Sequence, residues 1–221
     1  MIPMHSQQIF IPAQRQCKVV YLGNPGNRIK RIWIVLHGYG QLAQYFIKNF
    51  ESVIDDETLI VAPEGMSRFY LDGLSGRVGS SWMTKEEREL EIEDNNAYLD
   101  GVTERVLHLC DDAINPEINI LAFSQGVPVA CRWLIRSKCQ PKKFCLWAGA
   151  LPQDVQLPML KELFNAVKGI IVYGTEDEYI TQIGAATVHD FIEKHKLQLE
   201  IHTFKGGHKI DDGTLKKVFH S

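Results

Sequence analysis

Residues 118–127 read Ile118-Asn119-Ile120-Leu121-Ala122-Phe123-Ser124-Gln125-Gly126-Val127. Up to Phe123 the run is apolar and suited to a buried strand. From Val127 to Ser137 the apolar residues take helical spacing. A strand that passes into a helix through so short a turn belongs to a sheet built from alternating strands and helices.

The same alternation extends outward in both directions. Arg31–His37, Thr58–Pro63, Lys143–Ala148, Gly169–Tyr173 and Leu197–Phe204 are short, mostly apolar runs of the kind covered on both faces. Between them Asp94–Ala113 places Tyr98, Val102, Val106, Leu109 and Cys110 along one stripe, and Pro158–Val167, Thr181–His195 and Gly213–His220 read similarly. Lys85–Asp94 is dense in charge and reads as a solvated helix face. At the start, Gln7–Ile11 and Lys18–Leu22 read as short strands before the turn-forming Asn24-Pro25-Gly26-Asn27, which suggests an antiparallel beginning. No repeat, low-complexity tract or linker divides the chain. The expectation is one α/β domain over residues 1–221, with a mostly parallel central sheet and helices on both faces.

Composition narrows the function. Of 221 residues, 45% are apolar and 23% charged, enough to bury a sizeable core. The net charge is −3, and the bases come in twos and threes (Arg28, Lys30, Arg31; Lys142, Lys143; Lys216, Lys217). Nucleic-acid binding would need a denser basic stripe. No apolar run approaches the roughly 18 residues of a membrane span, so no stable membrane insertion is expected. Met1–Gln16 lacks a basic segment followed by an apolar core, which makes the cytoplasm the default location. Cys17, Cys110, Cys131, Cys139 and Cys145 form no CxxC pair and have no nearby His at metal spacing, so they read as reduced structural thiols.

In parallel sheets ligands sit beyond the carboxyl ends of the strands, and the chemistry-bearing residues fall there. Ala122-Phe123-Ser124-Gln125-Gly126 resembles a nucleophile elbow, G-x-S-x-G, with Ala122 in place of the first glycine. Such a turn aims the Ser124 hydroxyl out of the sheet and sets the Gln125 amide at a helix N-terminus, where negative charge is favoured. The strand from Arg31 ends in His37-Gly38-Tyr39-Gly40, whose glycines allow amides to turn toward a common point. Tyr39 is then the second oxyanion donor, with Gln125, while His37 shapes the loop. A serine nucleophile needs a base, and the base an orienting acid, in loops after later strands. Gly206-Gly207-His208 offers the base, whereas His195 lies near a helix end and His202 within a strand. Gly174-Thr175-Glu176-Asp177-Glu178 offers three acids, among which the loop alone does not choose.

Together, His37-Gly38-Tyr39-Gly40, Phe123-Ser124-Gln125-Gly126, Gly174-x-x-Asp177 and Gly207-His208 resemble the phospholipase/carboxylesterase family of α/β hydrolases, which includes acyl-protein thioesterases and small bacterial carboxylesterases. The resemblance spans nearly the whole chain. It implies the α/β-hydrolase fold and a serine hydrolase acting on a small-molecule ester or acyl-thioester, without metal or organic cofactor. Ser124 would be the nucleophile, His208 the base and then acid, Asp177 the orienting carboxylate, and Tyr39 and Gln125 the oxyanion hole. Acyl transfer or perhydrolysis on the same residues, a non-catalytic binder with this fold, and a scaffold using Lys85–Asp94 are the rivals; a homodimer is compatible with all of them. Met66–Met83, with Arg68, Tyr70, Arg77 and Trp82, departs from the best-known thioesterases. It sits where the acyl pocket would be built, with Trp82 as its wall. Ala148-Gly149-Ala150-Leu151-Pro152, Leu157, Met159 and Leu160 offer further apolar border. No insertion is long enough for a large lid, which points to an open site and modest-sized esters.

Overall fold

Strand β2 (Arg31–Leu36) shows how the core is made: Ile32, Ile34 and Leu36 enter one apolar cluster, Trp33 and Val35 the other. Successive side chains of a strand point to opposite faces, so an unbroken apolar run fills two cores at once. The computed structural model describes residues 8–110, 115–179 and 185–220. Its other strands are β1 (Val19–Leu22), β3 (Thr58–Pro63), β4 (Ser67–Tyr70), β5 (Val78–Ser81), β6 (Glu117–Phe123), β7 (Lys143–Trp147), β8 (Lys168–Gly174) and β9 (Leu199–Phe204). Seven form one sheet in the order β1-β3-β2-β6-β7-β8-β9, parallel except for β1, which runs antiparallel to β3; β4 and β5 make a separate hairpin.

Helices cover both faces. On one side α2 (Arg88–Leu107), α3 (Gly126–Arg136), α4 (Leu157–Ala166) and α5 (Ala185–His195) contribute Leu99, Trp133, Phe164 and Ile192. On the other, α1 (Ala43–Phe46), a 3-10 helix (Ile47–Val53) and α6 (Asp212–His220) contribute Phe46, Phe50, Leu215 and Phe219. Each fully buried aliphatic or aromatic side chain is worth about 1.5–3 kcal/mol. This is the α/β-hydrolase architecture expected from the sequence.

Several boundaries differ. Gln7 lies outside the described residues, and residues 8–11 are not a strand: Ile9, Phe10 and Ile11 are exposed, and β1 takes the antiparallel edge instead. Helix α2 begins at Arg88, because the charged run to Asp94 forms its first turns around the buried Ile92, and it ends at Leu107; the expected extension over 111–113 is outside the described residues. So is the 181–184 start of the expected Thr181–His195 helix. The Met66–Met83 segment, expected to build the acyl pocket, forms the β4–β5 hairpin. Among the described residues, no helix is long and apolar enough to cross a membrane.

Candidate active site

Ser124 follows the last residue of β6 and sits at φ +53°, a left-handed conformation that costs a non-glycine residue on the order of 1–3 kcal/mol. Three neighbours make the turn possible. Gly126 lies so close to β2 that a Cβ there would be 2.8 Å from the Leu36 carbonyl oxygen. Gly149 would place one 2.4 Å from the Ser124 carbonyl oxygen. The Ser124 amide donates to the Trp147 carbonyl at 2.8 Å. Ala122, the departure from the usual glycine, is fully buried in β6 between Leu36 and Leu146, so the core absorbs its methyl.

The two late loops meet through Gly174, where a Cβ would lie 2.1 Å from the Gly206 carbonyl oxygen. Thr175 and Glu176 amides then bond to the Phe204 and Gly206 carbonyls. This contact brings Asp177, which is fully buried, against His208: Asp177 Oδ2 is 2.8 Å from His208 Nδ1, and His208 Nε2 is 2.9 Å from Ser124 Oγ. A carboxylate only accepts, so Nδ1 carries the proton and Nε2 is free to accept from the hydroxyl. Glu176 and Glu178 are exposed, His195 packs its ring on Phe191, and His202 pairs with Glu200, so none of them completes this series.

His37 is fully buried and belongs to the loop framework. Gly65 N–H donates to its Nε2 at 2.9 Å, so Nδ1 bears the hydrogen and donates to the Gly38 carbonyl at 2.7 Å. Burial pushes its pKa down to about 4, opposed by the Gly38 carbonyl and Glu64. In the unfolded chain the same group titrates near 6.5, so between these values the unfolded state binds more protons. Its contribution to stability is complete above pH 6.5 and is lost as pH falls toward 4. Urea unfolding at pH 7 and pH 5 is expected to show that His37→Gln removes about 2 kcal/mol of the wild-type loss over that interval. Equal losses in both proteins would contradict it.

Gly38 passes so near the elbow that a Cβ would lie 3.1 Å from Ser124 Cβ. Its amide bonds to Gln41 Oε1, and the Gly40 amide to the Ser80 carbonyl. Among the described residues, the backbone amides of Tyr39, next to Gly38, and of Gln125, next to Ser124, have no acceptor. The Tyr39 side chain is exposed and packs on Phe69 at 5.1 Å. Sequence reasoning missed the Gln125 side chain, which bonds Ser81 Oγ, the Trp82 amide and the Met83 carbonyl and so ties the elbow to β5. It also missed Tyr179, whose ring lies 4.7 Å from that of His208.

Trp82 does not stand on an open wall. It is 1% exposed, its Nε1 donates to the His37 carbonyl at 2.8 Å, and its ring packs on His37. An apolar hollow of about 590 Å³ lies elsewhere, between α4 and α5, bounded by Ala148–Pro152, Leu157, Leu160, Tyr173 and Phe191. Gly149, on its lining, packs against the Ser124 backbone. Met159 faces outward instead. Among the described residues, no group of three His, Cys, Asp or Glu is placed to hold a metal ion.

The sequence matches the family model described as Phospholipase/Carboxylesterase over residues 18–221. No curated protein matches it. Among solved structures, Zea mays acyl-protein thioesterase 2 aligns over 92% of this chain and 96% of its own at 13% identity, with a TM-score of 0.68. The Bacillus cereus carboxylesterase aligns over 92% of both chains at 17% identity and 0.60. Esterase PE8 aligns over 92% of this chain and 100% of its own at 19% identity and 0.63.

Proposed function

Because the chain belongs to the phospholipase/carboxylesterase family, we propose that it hydrolyses carboxylic ester or acyl-thioester bonds through an acyl-Ser124 intermediate. The observation that carries this reading is the unbroken series from Ser124 Oγ to His208 Nε2 and from His208 Nδ1 to Asp177 Oδ2, at 2.9 and 2.8 Å. Proton transfer requires hydrogen-bond reach of about 2.6–3.2 Å, which both links satisfy.

In the first half-reaction His208 Nε2 takes the Ser124 proton as Oγ attacks the carbonyl carbon. The carbonyl oxygen becomes an oxyanion, held by the Tyr39 and Gln125 amides; each such donor is worth about 2.7–4 kcal/mol. The intermediate collapses, His208 returns the proton to the leaving alcohol or thiol, and an acyl-serine remains. Water then gives up a proton to the same imidazole, attacks, and releases the acid. Asp177 keeps the ring in the useful tautomer throughout. Neither metal nor organic cofactor enters any step. The hollow beyond Gly149 is the place for the acyl group, by its apolar lining and its contact with the elbow.

A fluorophosphonate probe should label Ser124, and p-nitrophenyl esters and acyl-thioesters of graded length should be cleaved with a length preference set by that hollow. No labelling and no turnover across the series would reject the reading. Added alcohols that capture most of the acyl group would instead assign the enzyme to acyl transfer. Gly38→Ala is expected to lower kcat by about tenfold or more with little change in KM, because a Cβ 3.0 Å from the Phe123 ring and 3.1 Å from Ser124 Cβ displaces the oxyanion loop. A variant with wild-type kcat would show that the loop absorbs the methyl.

A further inference from the structure

Two aromatic rings approach the imidazole of His208. Phe123, from the end of β6, lies 4.8 Å away between ring centroids, and Tyr179, from the loop after β8, lies 4.7 Å away at an interplanar angle of 56°. Phe123 is 3% exposed and belongs to the core. Tyr179 is 62% exposed, so core burial does not account for where its ring rests. Its backbone N–H donates to Asp177 Oδ1 at 2.9 Å, which leaves Oδ2 for His208. One residue therefore touches two members of the hydrogen-bonded series, the carboxylate through its amide and the imidazole through its ring.

We propose that Tyr179 is a positioning residue that holds the His208 ring in line between Asp177 and Ser124 and favours the imidazolium formed when the serine proton is taken. The inference rests on the reading of Ser124, His208 and Asp177 given above. When the Ser124 proton moves to Nε2, positive charge spreads over a ring whose centroid lies 4.7 Å from that of Tyr179, inside the roughly 6 Å over which an aromatic ring stabilises a cation. The same charge forms again when water attacks the acyl-serine. Among the described residues, the ionisable groups on the loops after β8 and β9 are, besides His208, Glu176, Asp177, Glu178, the Tyr179 hydroxyl, Lys205, Lys209 and Asp211. Only Tyr179 changes in the variants below.

The test compares Tyr179→Phe and Tyr179→Leu with the wild type on p-nitrophenyl butyrate across pH. Both variants keep the backbone N–H to Asp177, so they isolate the ring. Tyr179→Phe should retain kcat within about twofold. Tyr179→Leu should lose about two- to fivefold in kcat at unchanged KM, with the acid limb of the kcat/KM profile moved down by about half a unit. A downward shift is the required sign, since the imidazolium loses a stabilising neighbour. An unmoved acid limb in Tyr179→Leu, or a change in KM alone, would overturn the proposal by making the ring a bystander or a substrate contact. Fluorophosphonate labelling of the wild type runs alongside: absence of labelling at Ser124 would overturn the underlying reading instead.

Discussion

Ser124→Ala is expected to reduce kcat for ester hydrolysis by about a millionfold, the scale on which serine hydrolases respond to loss of the nucleophile. The hydroxyl is the one group from which His208 can take a proton in the series, so its removal leaves the imidazole and carboxylate without a substrate for transfer. The residual rate above water would come from the Tyr39 and Gln125 amides and from binding alone. The fold should survive, because the Ser124 backbone bonds to Trp147 and Val127 do not involve the side chain. A second substitution separates chemistry from strain. Ser124→Gly removes the Cβ that makes φ +53° costly, so it should be as inactive as the alanine variant yet melt at a higher temperature. Steady-state turnover and thermal unfolding of the two variants decide the matter: activity near wild type in either one ends the assignment.

The sheet was legible because its strands are apolar on both faces, a pattern that does not depend on what packs against them, as β2 and β3 show. The elbow was legible for a different reason. Only small residues fit where strand and helix backbones approach within a Cβ's reach, and Gly126 records that constraint in the sequence. Errors fell where tertiary context decides. The charged run Lys85–Asp94 is a largely solvated helix face as expected, but it opens α2 at Arg88, so the helix start that the apolar stripe put at Asp94 lies a turn and a half too late. The short β4 and β5 contain Ser and Gly rather than β-branched runs, and only their mutual pairing makes them strands. Trp82 reads as a pocket wall because its segment lies where the acyl pocket would be built; its indole N–H donates to the His37 carbonyl, which fixes it inside. The contact of Tyr179 with His208 had no sequence signal, because nothing in local spacing says which exposed ring will lie over an imidazole from another loop.

Asp177→Asn is expected to lower kcat by about ten-thousandfold while leaving the fold intact. The replacement keeps size and shape at a fully buried position, so packing should hold. Its oxygen can still accept from the Tyr179 amide, which directs the new NH2 toward His208 Nδ1. That nitrogen must then accept rather than donate, and the ring proton moves to Nε2. An Nε2–H facing Ser124 Oγ cannot take the serine proton, so the nucleophile is present but not activated. Fluorophosphonate labelling should slow in parallel with kcat, since both depend on the same proton transfer, while KM changes little. Glu176→Gln and Glu178→Gln provide the contrast: both side chains are exposed, and the hydrogen bond to His208 Nδ1 comes from Asp177, so each should stay within about twofold of wild type. If Asp177→Asn kept more than about a tenth of wild-type turnover, or if a neighbouring glutamate variant lost as much, the orienting role would have to pass to another group. The buried carboxylate at 177 would then be a structural contact between the loops after β8 and β9.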